Sequence, residues 1–300
     1  MMKKIWKTAA AWFFFGWVAA AVPVMAAPPG IKVLDAAAAR ASFVPMKAMT
    51  SHTRAISLVD PNFKADGPAR FTGIALEKLM DISGLVLDSQ GVTAVGVDQY
   101  VGFFPAGRVV QDGGLLVWQM DGRKIPVFKG GPLKIVFPLE AGIHGACYTW
   151  YVDILIAGTF DNPGLAIQQQ TGRKVFARNT LLSRSMALAP YLASFPQGCR
   201  NALLDKRPEK DLRAVPLTDL IQEPPVSGIT LKTLAGKDIR LRADIFNYPA
   251  FLVVGTWNAA LHPAFGGPFS LVFPVEQHPD LAELVPESGA VFFLEEIVIE

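Results

Sequence analysis

One frame of ten residues occurs twice in the chain. Near Gly130 it reads KGGPLKIVFP, and near Gly266 it reads FGGPFSLVFP, at a constant offset of 136. The shared part is Gly-Gly-Pro, an apolar residue, a variable one, an apolar one, then Val-Phe-Pro. Flanking blocks recur in the same order. LLVWQMDGRK (115–124) resembles FLVVGTWNAA (251–260), and GVTAVGV (91–97) resembles GITLKTL (228–234). Downstream, CYTWYVDILIAG (147–158) resembles AVFFLEEIVIE (290–300). Short apolar runs bounded by Gly, Pro and Asp are strand signals. An offset this long marks a duplicated globular domain rather than a solenoid. The expectation is an α+β fold, largely β, in two tandem copies. The first spans 27–158 and a degenerate second spans 211–300, joined by a helical linker over 159–210.

Local patterns refine this expectation. Ala36–Ala41 reads as a short helix, and Arg54–Val59 as a strand ending at the Asp60-Pro61-Asn62 turn. Phe71–Ser83 carries apolar residues at helical spacing and stops at Gly84. Strands are expected at 92–97, 100–104, 114–120, 133–137 and 150–157. Asp121-Gly122 between apolar alternations is a hairpin signal, because both central residues of such a turn adopt positive φ. Asn179–Ser194 reads as a helix.

The N-terminus carries Lys3, Lys4 and Lys7, an uncharged apolar run from Ala9 to Val22, and small residues around Ala26. That is the order of a cleaved secretory signal over 1–26, and the run is short of the ~20 residues a bilayer span needs. The expected location is periplasmic or secreted, with no membrane span after signal removal. The whole chain has 28 basic and 26 acidic side chains. Losing the three N-terminal lysines leaves 25 against 26. A near-neutral chain lacks the basic footprint of a nucleic-acid binder. The two cysteines, Cys147 and Cys199, are compatible with a disulfide or with two buried thiols. The four histidines show no ligand spacing, so no metal is expected from them.

The run DGRKIPVFKGGPLKIVFP (121–138) resembles the molybdopterin-binding domain of the sulfite oxidase family, with its N-G-x-P-L turn followed by H-G-x-P-L-R. DQYVGFFPAGRV (98–109) is similar to that family's D-G-Y strand, and Trp150-Tyr151-Val152 with Ile154 and Ile156 to its closing strand. The resemblance covers about 50–158 and continues, degraded, over 211–300. It implies two tandem sulfite oxidase-like domains holding a pterin or molybdopterin-like ligand. In catalytic relatives an upstream Cys thiolate binds molybdenum, the soft ligand such a metal takes. No Cys occurs between Ala27 and Tyr100, which argues against an enzyme of that type.

Lys129 stands at the family's His and Lys134 at its Arg, so both are candidate phosphate ligands beside Gly130 and Gly131. Lysine holds phosphate as a point charge rather than a fork. The second copy has Phe265 and Ser270 there, so one binding copy is expected. Tyr100, Trp118 and Trp150 are candidates for stacking on a pterin, and Asp98 for its amino edge. Each also reads as an ordinary core aromatic or a turn carboxylate. The resemblance implies an exported, non-catalytic pterin-binding protein that acts on a membrane-bound signalling partner. A molybdenum oxidoreductase with unusual ligation and a ligand-free structural module remain as alternatives.

Overall fold

The computed structural model describes residues 30–85, 90–200, 211–221 and 227–300. The N-terminal signal and residues 201–210 of the expected linker lie outside these. Among the described residues no helix is long and apolar enough to cross a membrane.

The fold is largely β, with 21 strands and four short α-helices among the described residues. The first half holds β1 (Gly30–Asp35), β2 (Arg40–Pro45), β3 (Arg54–Val59), β4 (Pro68–Ala75), β5 (Val92–Gly96) and β6 (Val101–Phe104). It continues with β7 (Leu115–Met120), β8 (Arg123–Lys124), β9 (Lys134–Val136) and β10 (Val152–Ala157). The second half holds β11 (Gly164–Gln169), β12 (Gly172–Ala177), β13 (Met186–Ala187), β14 (Gly198–Cys199), β15 (Arg213–Pro216) and β16 (Gly228–Thr233). Then come β17 (Asp238–Arg242), β18 (Phe251–Gly255), β19 (Ser270–Val272), β20 (Ala290–Val291) and β21 (Leu294–Ile299). The helices are α1 (Met46–Thr50), α2 (Leu76–Ile82), α3 (Ala106–Gln111) and α4 (Arg178–Leu182).

Four sheets form. Sheet A has the order β14-β6-β5-β10-β1-β2, and sheet B the order β3-β4-β7-β8, with β9 also on β7. Sheet C is β12-β11-β21-β16-β17, and sheet D is β13-β15-β18-β19-β20. From β6 to β2, sheet A has the order that sheet C has from β17 to β12. In both, a parallel pair joins the first strand to the last, β1 with β10 and β11 with β21.

Alternation of side chains stacks the sheets in the order B, A, D, C. Ile31, Val92 and Leu155 of sheet A meet Phe71, Leu116 and Ile135 of sheet B in one core. On the other face of sheet A, Leu34, Val95 and Ile154 pack on Ala214, Val253 and Val272 of sheet D. Leu252 and Leu271 of sheet D meet Leu231 and Ile297 of sheet C in a third core. Sheets A and D are therefore covered on both faces. That explains why VTAVG in β5 is buried throughout and β10 reads as a nearly continuous apolar run. Each fully buried Leu, Ile or Val contributes about 1.5–3 kcal/mol.

Several local expectations are corrected. Ala36–Ala39 is a turn, and β2 begins at Arg40, so no helix forms there. Ala favours helix only weakly, and pairing of β1 with both β2 and β10 overrides it. Phe71–Ala75 is strand, and helix begins only at Leu76. The helix expected over 179–194 is confined to Arg178–Leu182. The linker reading of 159–210 does not fit the sheets either. β11 and β12 form a hairpin inside sheet C, and β14 returns to the edge of sheet A. The Asp121-Gly122 turn does join β7 to β8, with φ of 51° and 75°.

Candidate functional site

Four segments of the first half converge on a cavity of about 210 Å³. The turn after β3 supplies Asn62, and the turn between β5 and β6 supplies Asp98 and Tyr100. The 3-10 turn Gly145–Cys147 supplies Gly145 and Ala146, and the approach to β10 supplies Tyr148 and Trp150. Local hydrogen bonds fix each segment. Asp60 Oδ1 accepts the Asn62 N–H at 3.0 Å, an Asx turn set by the Asp-Pro-Asn sequence. Asn62 Nδ2 then donates to Gly145 O at 3.2 Å. Asp98 Oδ1 accepts the Tyr100 N–H at 3.1 Å, and the Tyr100 hydroxyl donates to Ala146 O at 2.7 Å.

Burial and then the Asp98 charge raise the Tyr100 pKa. Burial pushes Tyr148 up to about 12, and its hydroxyl donates to Phe137 O at 2.8 Å. Both phenols are thus neutral donors at physiological pH.

Behind the cavity, charges and rings satisfy one another. Trp150 stacks on Phe63 with centroids 5.5 Å apart and planes 15° from parallel. Lys134 is fully buried and ion-paired with Asp60. Its Nζ lies 4.9 Å from the Trp150 centroid and 5.4 Å from that of Phe63. Burial lowers the Lys134 pKa, and the bond to Asp60 opposes the fall. Lys129 pairs with Asp66 at 2.7 Å.

The seven expected site residues therefore separate. Asp98 and Tyr100 line the cavity. Gly130 adjoins it through Trp150, since a Cβ there would lie 2.5 Å from the indole Cγ. Gly131 serves packing, because a Cβ would meet Ile125 O at 2.0 Å. Lys129 and Lys134 are paired with Asp66 and Asp60, so a phosphate on either would compete with that carboxylate. Trp118 lies half-buried on β7 against the first core and does not line this cavity. Trp150 is the indole that lines the cavity. Nothing in the sequence marks Asp60, Asn62, Phe63 or Tyr148 for chemistry, since Asp60-Pro61-Asn62 signals only a turn.

In the second half, Phe265 and Ser270 occupy the places of Lys129 and Lys134 in the repeated frame. Both are buried, with Phe265 edge-on to Phe195 at 5.3 Å and the Ser270 hydroxyl donating to Gly266 O at 3.1 Å. Phe265 and Phe292 lie in the core shared with sheet A, so the first half covers this surface.

Residues 46–156 match the family model of the oxidoreductase molybdopterin binding domain. The first half carries a domain of that family. No curated protein matches the chain. Among solved structures, the sulfane dehydrogenase SoxCD from Paracoccus pantotrophus is similar at 10% identity and a TM-score of 0.36. The match covers 89% of this chain and 74% of that one. The donor set in this molybdopterin-binding domain does not fit molybdenum held by a protein thiolate. Cys147 and Cys199 are joined in a disulfide, and of the two buried carboxylates among the described residues Asp60 is paired with Lys134 and Asp112 with Arg108. Among the described residues no three His, Cys, Asp or Glu side chains gather as a metal site.

Proposed function

We propose that the protein is an exported, non-catalytic pterin-binding protein that presents its ligand state to a membrane-bound signalling partner. The observation that carries the ligand assignment is the cavity of about 210 Å³, in which Trp150, Tyr100 and Tyr148 stand with Asp98 and Asn62. Flat aromatic walls favour a flat ring, and stacking on one contributes ~1–3 kcal/mol by analogy with nucleobases. The carboxylate and the side-chain amide match a ring edge that carries both donors and acceptors. The chain is read as two tandem copies of one domain, a reading supported by the common strand order of sheets A and C and by the repeated Gly-Gly-Pro frame. At the repeated frame the first half has this cavity, while Phe265 and Ser270 of the second half are buried. Both lysines being paired, no phosphate is placed on them.

Fluorescence titration with biopterin tests this. Binding in the micromolar range or tighter is expected, with Trp150→Ala and Asp98→Asn each weakening it about tenfold or more. Ser270→Ala should bind as wild type. Molybdenum co-purifying at one atom per chain would instead favour an oxidoreductase. Wild-type protein without biopterin affinity would favour the structural module.

A further inference from the structure

The wall of the cavity is fastened by a covalent bond between distant parts of the chain. Gly145 and Ala146 belong to the same turn as Cys147. Cys147 is bonded to Cys199, 52 residues away, with the two Cα atoms 4.9 Å apart. Cys199 ends β14, which pairs with Val101 and Gly102 of β6. The residue before this pairing is Tyr100, whose hydroxyl reaches Ala146 O. Just upstream, the Val101 N–H donates to Gln197 O at 2.9 Å. One disulfide therefore clamps two walls of the cavity, the 145–147 turn and the strand that backs the Asp98–Tyr100 loop.

Beyond the disulfide, β14 is flanked by Arg200, which donates to Ala264 O at 2.8 Å, and by Phe195, edge-on to Phe265; β14 itself is short. It has two residues and lies at the sheet edge. Asp98 and Tyr100 also line a larger groove of about 930 Å³, together with Phe195, Gln197 and Lys237. Gln197, the residue before β14, lines that groove. Of the two cysteines Cys199 is the less buried, so the attack is assigned to it.

We propose that the Cys147–Cys199 bond is a redox latch on the cavity, closed for binding when oxidised and released by a dithiol reductant. A thiolate of the reductant attacks the Cys199 sulfur, breaking the protein S–S bond and leaving Cys147 as a thiolate that takes a proton. The second thiol of the reductant then closes on the first, releasing Cys199 as a thiol. Two electrons and two protons pass to the protein, and the reductant leaves as its cyclic disulfide. This adds regulation to the site and rests on the pterin reading for its ligand.

The test pairs biopterin titration with hydrogen exchange, on oxidised protein and on protein reduced by dithiothreitol. Thiol labelling should find two free thiols after reduction. Reduction should raise the biopterin Kd at least tenfold and speed exchange over 144–151 and 195–200, while β16, β18 and β21 stay protected. The Cys147→Ser/Cys199→Ser variant should bind weakly with or without dithiothreitol. Unchanged affinity and exchange with both thiols free would overturn the latch. Exchange accelerated through the whole chain would also overturn it, making the bond a staple of the fold. If oxidised protein does not bind biopterin, the pterin reading fails. Exchange alone then decides the latch, upheld by acceleration confined to the two segments and overturned without it.

Discussion

Lys134 keeps an ammonium inside the protein because Asp60 lies against it and two rings flank it. A buried charge without its partner is costly, whereas a pair replaced on both sides often is not. Lys134→Met should therefore destabilise the protein by about 3–5 kcal/mol, since it strands the Asp60 carboxylate. Asp60→Asn/Lys134→Met should recover most of that, because Asn still accepts the Asn62 N–H. Urea denaturation of wild type, single and double variants checks this; a single variant as stable as wild type would show that the pair contributes nothing. The frame in the sequence marks a cation at Lys134 but carries no trace of its neutralising partner, which lies 74 residues upstream. Spacing along a strand reports which face a residue takes, not what arrives there from a distant turn. The same limit separates Trp118 from Trp150. Both sit in apolar strand-like runs, and only the tertiary approach of the Asn62, Tyr100 and Ala146 segments puts Trp150 at a cavity.

Two turns with left-handed glycines separate conformational strain from close approach. Gly130 has φ of 91°, and a Cβ there would strike the Trp150 indole at 2.5 Å. Gly122 has φ of 75° with nothing within 4 Å of its missing Cβ. Gly122→Ala should cost about 1–2 kcal/mol of stability and leave biopterin binding unchanged. Gly130→Ala should cost more and also weaken binding, because the indole must shift. Thermal melts and titrations of the two variants make the comparison; equal binding losses would mean that Trp150 is not the surface the ligand meets. The Asp121-Gly122 hairpin was legible because its conformation is written in two adjacent residues. The β1–β2 hairpin was not, since alanines say little about which face they take and long-range pairing with β10 decides the outcome.

Between the two halves, His262 sits edge-on to Phe103 of β6 with centroids 5.1 Å apart. Its Nδ1 accepts the Ala264 N–H at 3.0 Å. Burial pushes its pKa down to about 4. In the unfolded chain it titrates near 6.5, so on acidification the unfolded state takes the proton first. Stability is full above pH ~6.5 and falls as pH drops toward about 4, by roughly 3 kcal/mol. His262→Asn, which keeps an acceptor and does not titrate, should flatten this part of the profile. Urea midpoints from pH 7 to 4 for both proteins check it. The repeated frame in the sequence carries no sign that sheet D would cover sheet A. β14 makes that arrangement a constraint on dissection. A chain stopped after residue 158 keeps β6 but loses the strand that closes its edge, and bares the Leu34, Val95 and Ile154 face. Open strand edges recruit other chains, and Cys147 would be left without its mate. Such a fragment should clump and cross-link rather than stand alone.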